Sequence, residues 1–323
     1  MMVYPVDVVA NPPKPSWGVR GRQFIHDVVK SRWAYAFIAP FFILYSVFGF
    51  FPQLFSIYLS LSQWKGLGPV KFVGLANYKL IFSDKVFWQA MSNSVIIFFM
   101  YVPIMLFLAL VLAVLLTSRR IRGAHFFRLM VFLPYITNRI ASGRTFQLLF
   151  NSTNQGLINY FLHVFGLGPV PWMDNVWTAR ITLSLLIIWG WVGYNMILMM
   201  AGLQTINPEL NEAALIDGAT PVQAFFRITV PLMRPIILFC LAMSVMGTFN
   251  LFAEIYSLTN AGGNAPGAVG GPMNATVTPL IYIYAKAFGD FRMGYAAALS
   301  YVYFLFIFIV TLVQFRRYGN VES

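Results

Sequence analysis

Long apolar stretches alternate with short polar connectors along almost the whole chain, and the apolar stretches set its architecture. Six of them stand out, at about 34–62, 93–117, 127–149, 180–203, 234–257 and 294–315. Each is near or above the roughly 20 residues that a helix rising 1.5 Å per residue needs to cross ~30 Å of hydrocarbon. The pattern predicts an all-α, polytopic integral membrane protein with six transmembrane helices: a cytoplasmic segment at 1–33, a membrane domain at 34–318 and a cytoplasmic tail at 319–323.

Composition agrees, with 59% hydrophobic and only 10% charged residues in 323. Soluble domains carry about a quarter charged residues. The net charge of +12 does not form a stripe that would suit nucleic acid. Its basic residues fall in the connectors, where they report topology. With the N-terminus inside, thirteen lie on the cytoplasmic side, including the cluster "SRRIRG" after the second run, and seven lie outside. The positive-inside rule therefore predicts that both termini are cytoplasmic. The first apolar run is longer than the ~7–15-residue core of a signal peptide, so it is expected to stay as a span. Cys240, the single cysteine, lies in an apolar run and offers neither a disulfide nor a thiolate cluster. His26, His125 and His163 are too far apart in sequence to form a local metal motif.

Two connectors carry clear start and stop signals. Ser83 followed by Asp84 and "VFWQAM" fits an N-cap leading into the second span. The segment at about 204–233 is more elaborate. Asn207-Pro208-Glu209 supplies a cap, a proline at the first helical position and an acid in the first turn. Gly218 supplies the left-handed residue that ends a helix, and Thr220-Pro221-Val222-Gln223 starts another with a capping box. Pro231 and Pro235 then interrupt the chain as it re-enters the membrane. Leu210, Ala213, Ala214 and Asp217 share one face of the first short helix, and the two alanines leave it low. Local rules allow either a docking element or a capped connector on the membrane surface.

The stretch "EAALIDGATPVQAFFRITVPLMRP", Glu212 to Pro235, resembles the cytoplasmic loop signature of binding-protein-dependent ABC importer permeases. Four further stretches resemble the carbohydrate-uptake branch of that family, to which the maltose importer belongs. They are "FVGLANYKLIF" from Phe72, "FFRLMVFLPY" from Phe126, "AGLQTINPEL" from Ala201 and "GYAAALS" from Gly294. The resemblance implies that Glu212, Ala213, Ala214, Asp217 and Gly218 form a helix seated in a cleft of an ATPase subunit. It also implies two such ATPase subunits, a second and different permease chain, and an extracytoplasmic binding protein that delivers a sugar. ATP and magnesium would be bound by the ATPase alone. In keeping with this, the chain has no Gly-x-x-x-x-Gly-Lys-Ser/Thr loop, and none of its seven lysines follows a glycine.

Charged residues within apolar runs point to a solute path or to structural pairing. Arg139 and Arg144 lie in the third run, and Glu254 in the fifth is their expected counterpart. Counted along unbroken helices, Arg144 and Glu254 would lie about 26 and about 30 Å from the cytoplasmic ends, near the outer interface. Arg139 would either line the path or serve as a structural partner. The family does not usually place arginine at these positions, which leaves room for an anionic sugar. Sugars are held by aromatic faces and hydroxyl-reading polar groups, so Tyr194 and Asn195 in "WGWVGYN" and Asn250 are further pathway candidates, whereas Trp189 and Trp191 fit an aromatic belt or packing. The rival reading is an ion-coupled secondary transporter, for which Glu254 is the single acidic intramembrane candidate.

Overall fold

A computed structural model of the chain describes residues 30–117, 121–259 and 270–319. Most of the N-terminal segment, Arg119 and Arg120 of the basic cluster, most of the glycine-rich connector and the last four residues lie outside the described residues. The chain divides into two units, residues 1–56 and 57–323. Helix α1, Arg32–Ser60, carries Pro40 and a π-helical turn at Ser46–Phe50.

Among its described residues the second unit is helical apart from loops and one two-residue antiparallel ladder, β1 (Ser62–Gln63) against β2 (Lys71–Phe72). Its helices are α2 (Ala76–Ser83), α3 (Lys85–Thr117), α4 (Ala124–Ile136), α5 (Arg139–Leu149), α6 (Leu157–Val164) and α7 (Val176–Gln204). There follow α8 (Pro208–Ile216), α9 (Pro221–Leu232), α10 (Arg234–Phe249), α11 (Ala253–Thr259), α12 (Pro279–Tyr284) and α13 (Met293–Gly319). Helices α3 and α7 pack along one another at the centre. One apolar cluster gathers Phe87, Ile97, Met105, Leu183, Ile187 and Ile255, and a second gathers Ala109, Ala113, Met196, Met199, Met233 and Cys240.

Among the described residues four helices are long and apolar enough to cross a membrane, and α9 with α10, bent by 63° at Met233, makes a fifth if the bent pair is one span. The expected count of six is not reached because the third run does not form one helix. It breaks at Thr137–Asn138, where the Asn138 side chain accepts hydrogen bonds from the amides of Ile140 and Ala141 and starts α5 afresh. The fifth run also breaks, at Asn250–Phe252 between α10 and α11, where the Asn250 side chain donates back to the Met246 carbonyl at the end of α10. The estimate that Arg144 and Glu254 lie near the outer interface assumed unbroken helices, and these two breaks remove its basis.

Glycines permit the closest approaches. A Cβ on Gly143 would lie 1.8 Å from the Ser257 hydroxyl, so α5 and α11 touch. One on Gly193 would lie 2.1 Å from the Val131 carbonyl oxygen, so the backbones of α4 and α7 are in contact.

Two polar clusters fix the segments between helices. Asp84, not Ser83, caps α3: its Oδ1 accepts from the amides of Val86 (3.1 Å) and Phe87 (3.2 Å), while the Ser83 hydroxyl donates back to Leu80. Its Oδ2 accepts from the hydroxyls of Tyr282 (2.6 Å) and Tyr295 (2.5 Å), tying α12 and α13 to the start of α3. Burial works against the charge on Asp84, but the two hydroxyls and two amides together outweigh it and hold the carboxyl below its ordinary value of 3.8. Burial, and then donation to Asp84, pushes the Tyr282 phenol up.

The second cluster is built on Arg180, which the charge pattern assigns to an outer connector. Instead its side chain is buried at the start of α7, donating to Asn93 Oδ1 (2.8 Å) and the Ala275 carbonyl (3.0 Å). Asn93 donates in turn to the carbonyls of Asn274 and Val277. Arg180 thus holds a loop in place, with its buried charge satisfied by hydrogen bonds.

Candidate functional site

The breaks that shorten the third and fifth runs also create the site. Arg139 is the first residue of α5 and Glu254 lies in the first turn of α11. Their side chains meet, Arg139 Nη1 to Glu254 Oε1 at 3.3 Å. The carboxylate side chain is 7% exposed and the arginine side chain 46%, so one end of the pair is buried and the other reaches open space. The guanidinium also lies over the Trp191 ring, 4.5 Å from its centroid. Arg144 does not share Glu254 as expected. It is exposed on the far side of the same short helix and donates to Gln147.

Beside the pair lies a cavity of about 280 Å³. Tyr194, Asn195 and Asn250, all expected from the sequence, line it, together with Tyr135, Trp191 and Tyr101. Tyr135 and Tyr194 stack with centroids 4.7 Å apart and planes 20° apart, and Trp191 sets its edge against Tyr135 at 5.3 Å. Asn195 is buried and donates to the Trp191 carbonyl, whereas Asn250 is exposed and donates to the Met246 carbonyl. A smaller crevice between Arg139, Glu254, Trp189 and Trp191 shares Tyr135 and Trp191 with this cavity. The five sequence candidates therefore line two adjoining spaces. Sequence reading left out Trp191 and Tyr135. The signal for Tyr135 was its place beside Pro134, one turn before the break; Trp191 was set aside as a packing residue.

The connector between α7 and α10 follows its local signals closely. Asn207 accepts from the Glu209 amide, with Pro208 at the first helical position. At the far end of α8 Gly218 takes φ +85°, the Ala219 amide donates to Ala214 and the Gly218 amide donates to Leu215. This pair of bonds is the Schellman arrangement, which satisfies carbonyls otherwise left without partners. Thr220 and Gln223 form the capping box that begins α9, through the bond of the Thr220 amide to Gln223 Oε1 (2.8 Å) and that of the Gln223 amide to Thr220 Oγ1 (3.3 Å). Glu212, Ala213, Asp217 and Gly218 are exposed, Ala214 is half-buried, and Leu210, Leu215 and Ile216 present apolar surface.

A bundle of apolar helices around a polar and aromatic cavity, with a capped helical loop at one end, has the form of a solute permease. Residues 72–316 match the family described as the inner membrane component of binding-protein-dependent transport systems. The chain belongs to this family and is an ABC transporter permease. It is 38% identical over 282 residues to the lactose transport system permease protein LacF of Rhizobium radiobacter, covering 86% of this chain and 91% of that one. It is 33% identical over 289 residues to the arabinooligosaccharides transport system permease protein AraP of Bacillus subtilis, covering 90% and 89%. Similarity extends to the sn-glycerol-3-phosphate transport system permease protein UgpA of Salmonella typhi, 32% identical over 298 residues, covering 90% of this chain and 95% of that one. The fold matches a chain of a bacterial ABC transporter that imports the acidic polysaccharide alginate, with a TM-score of 0.73 at 21% identity, covering 93% of this chain and all of the other.

Proposed function

We propose that this permease passes a carbohydrate, delivered by an extracytoplasmic binding protein, through the cavity between α3, α4, α7 and α10, driven by ATP hydrolysis on separate subunits. The observation that carries the reading is the aromatic wall of Tyr135, Trp191 and Tyr194 beside Asn195, Asn250 and the Arg139–Glu254 pair. Aromatic faces cover the apolar side of a sugar ring, and amide and charged groups read its hydroxyls. Lactose and arabinooligosaccharide permeases among the relatives support a carbohydrate.

Helix α8 is the coupling element in this reading. Toward its C-terminal end it carries exposed Glu212, Ala213, Asp217 and Gly218 beside half-buried Ala214, and the small residues allow an ATPase cleft to close on it. Its stop at Gly218 and immediate restart at Thr220 make a stiff joint to α9, so a push on α8 is passed toward the bend into α10. The complete transporter comprises this chain, a different second permease, two ATPase subunits that bind ATP and magnesium, and the binding protein. It sits in the plasma membrane of a prokaryote with both termini of this chain cytoplasmic. Ion-coupled secondary transport is less well supported, because Glu254, the acidic group it would use, is already paired with Arg139.

The test is reconstitution of the complex in vesicles with a panel of lactose, trehalose and arabinooligosaccharides. Uptake of at least one sugar should need both ATP and the binding protein, and Glu212→Lys or Gly218→Pro should abolish it while the complex still assembles. ATP-independent uptake, or full activity in both variants, would refute the coupling role.

A further inference from the structure

The pair that lines the crevice adjoining the cavity contains more than a structural contact requires. Arg139 is the first residue of an 11-residue helix, where the helix dipole is positive and a cation is disfavoured. Its guanidinium nevertheless stands there half-exposed, held by Trp191 beneath it and by Glu254 beside it. A guanidinium has five N–H donors, and Glu254 takes one bond from Nη1. The remaining donors leave Arg139 able to bond a hydroxyl. What Glu254 removes is the net charge. A half-exposed arginine beside an aromatic wall would otherwise attract and retain anions, since a cleft with low-dielectric walls focuses the field of a single charge. The buried carboxylate is placed where it cancels that field while leaving the donors in the path.

We propose that Arg139 and Glu254 act together as a charge filter, in which Glu254 neutralises Arg139 so that the path reads uncharged sugar hydroxyls and does not trap anionic solutes. The inference rests on the reading of this cavity as the solute path. Its primary test does not need transport, so the two can fail separately.

Trp191 lies against the guanidinium and reports anions that gather there, through quenching of its fluorescence by iodide. The probe is iodide, added to the purified complex, and the Trp191 signal is isolated by subtracting the spectrum of the matching Trp191→Phe protein. Glu254→Gln should raise quenching at Trp191 roughly threefold at low ionic strength, an increase that shrinks as salt screens the freed charge. Adding Arg139→Gln to Glu254→Gln should return quenching to the wild-type level. The exchange Arg139→Glu with Glu254→Arg restores a neutral pair, so it also should quench as wild type; it serves as the decisive variant if Glu254→Gln does not yield an assembled complex. Unchanged quenching in Glu254→Gln, equal quenching with and without Arg139, or raised quenching in the exchanged pair would overturn the filter. In the vesicle assay, glucuronate should inhibit uptake of the transported neutral sugar more strongly through Glu254→Gln than through wild type. The same binding protein serves both, so the difference belongs to the permease, and equal inhibition would count against the proposal.

Discussion

At the scale of single residues, Asp84 joins three segments away from the cavity: it caps α3 and receives hydroxyls from two other segments. Asparagine is as good a helix cap as aspartate, so Asp84→Asn isolates the charge. It should cost about 1 kcal/mol, and Asp84→Ala, which also removes the cap and strands two phenols, about 2 to 3 kcal/mol. Thermal unfolding of the purified protein would rank them wild type, Asn, Ala. The pH dependence has a definite sign. Because folding depresses this carboxyl below 3.8, its contribution is complete above that value and is lost as pH falls through the lower folded-state value. Acidification should therefore narrow the gap between wild type and Asp84→Asn only below about pH 4; a gap that closes nearer neutrality would mean that another group titrates. The cap was legible in the sequence to within one residue, since Ser83 and Asp84 are both good caps and only Asp84 is also reached by Tyr282 and Tyr295. Those tyrosines lie 198 and 211 positions away, beyond any local rule.

At the scale of elements, the loop from Asn207 to Gln223 was legible almost completely, because every signal in it acts within five residues: cap, first-turn proline, left-handed glycine, capping box. The broken third and fifth runs were not. Hydropathy averages over a window and passes smoothly across Thr137–Asn138, although Asn138 is a strong cap once the preceding helix has stopped. The breaks are stabilised by tertiary packing: α5 and α11 meet where Gly143 faces Ser257. Gly143→Ala should accordingly destabilise this pair by about 1 to 3 kcal/mol, the usual cost of overpacking. Ser257→Gly should restore much of the loss, since the blocking atoms nearest the added methyl are the Ser257 hydroxyl and Cβ. Gly193→Ala offers the contrast. Its added methyl meets the Val131 carbonyl and the Phe132 Cα, which are backbone atoms that no side-chain truncation can move. Melting temperatures of the three proteins decide the matter, and rescue of Gly193→Ala by trimming neighbouring side chains would contradict the packing described.

At the scale of the whole molecule, the proposed orientation of the bundle rests on charge. Thirteen basic residues fall on the inner side and seven on the outer; Arg180 of the outer set is bonded to Asn93 and Ala275, and Arg128 of the inner set to the Leu116 carbonyl, so discounting both keeps twelve against six. The bias toward a cytoplasmic loop at 204–233 keeps its sign, and sidedness can be tested on one protein. Cys240 is the only cysteine and is buried, so Cys240→Ala provides a clean background. Into it we would place Leu67→Cys, at a residue 89% exposed in the connector between β1 and β2, or Asp217→Cys, at the exposed end of α8. A membrane-impermeant maleimide added to intact cells should label position 67 and leave position 217 unmodified, and in inside-out vesicles the pattern should reverse. The vesicles also probe the coupling surface. Were α8 a capped connector resting on lipid, labelling at 217 would be indifferent to other subunits. If it is the helix on which an ATPase closes, labelling should be fast in the permease pair alone and should fall at least about tenfold when the ATPase subunits are bound, since their interface excludes the reagent from its core. Labelling at 217 that proceeds at one rate with and without the ATPase would remove α8 from the interface and leave the binding of energy to this chain without a site.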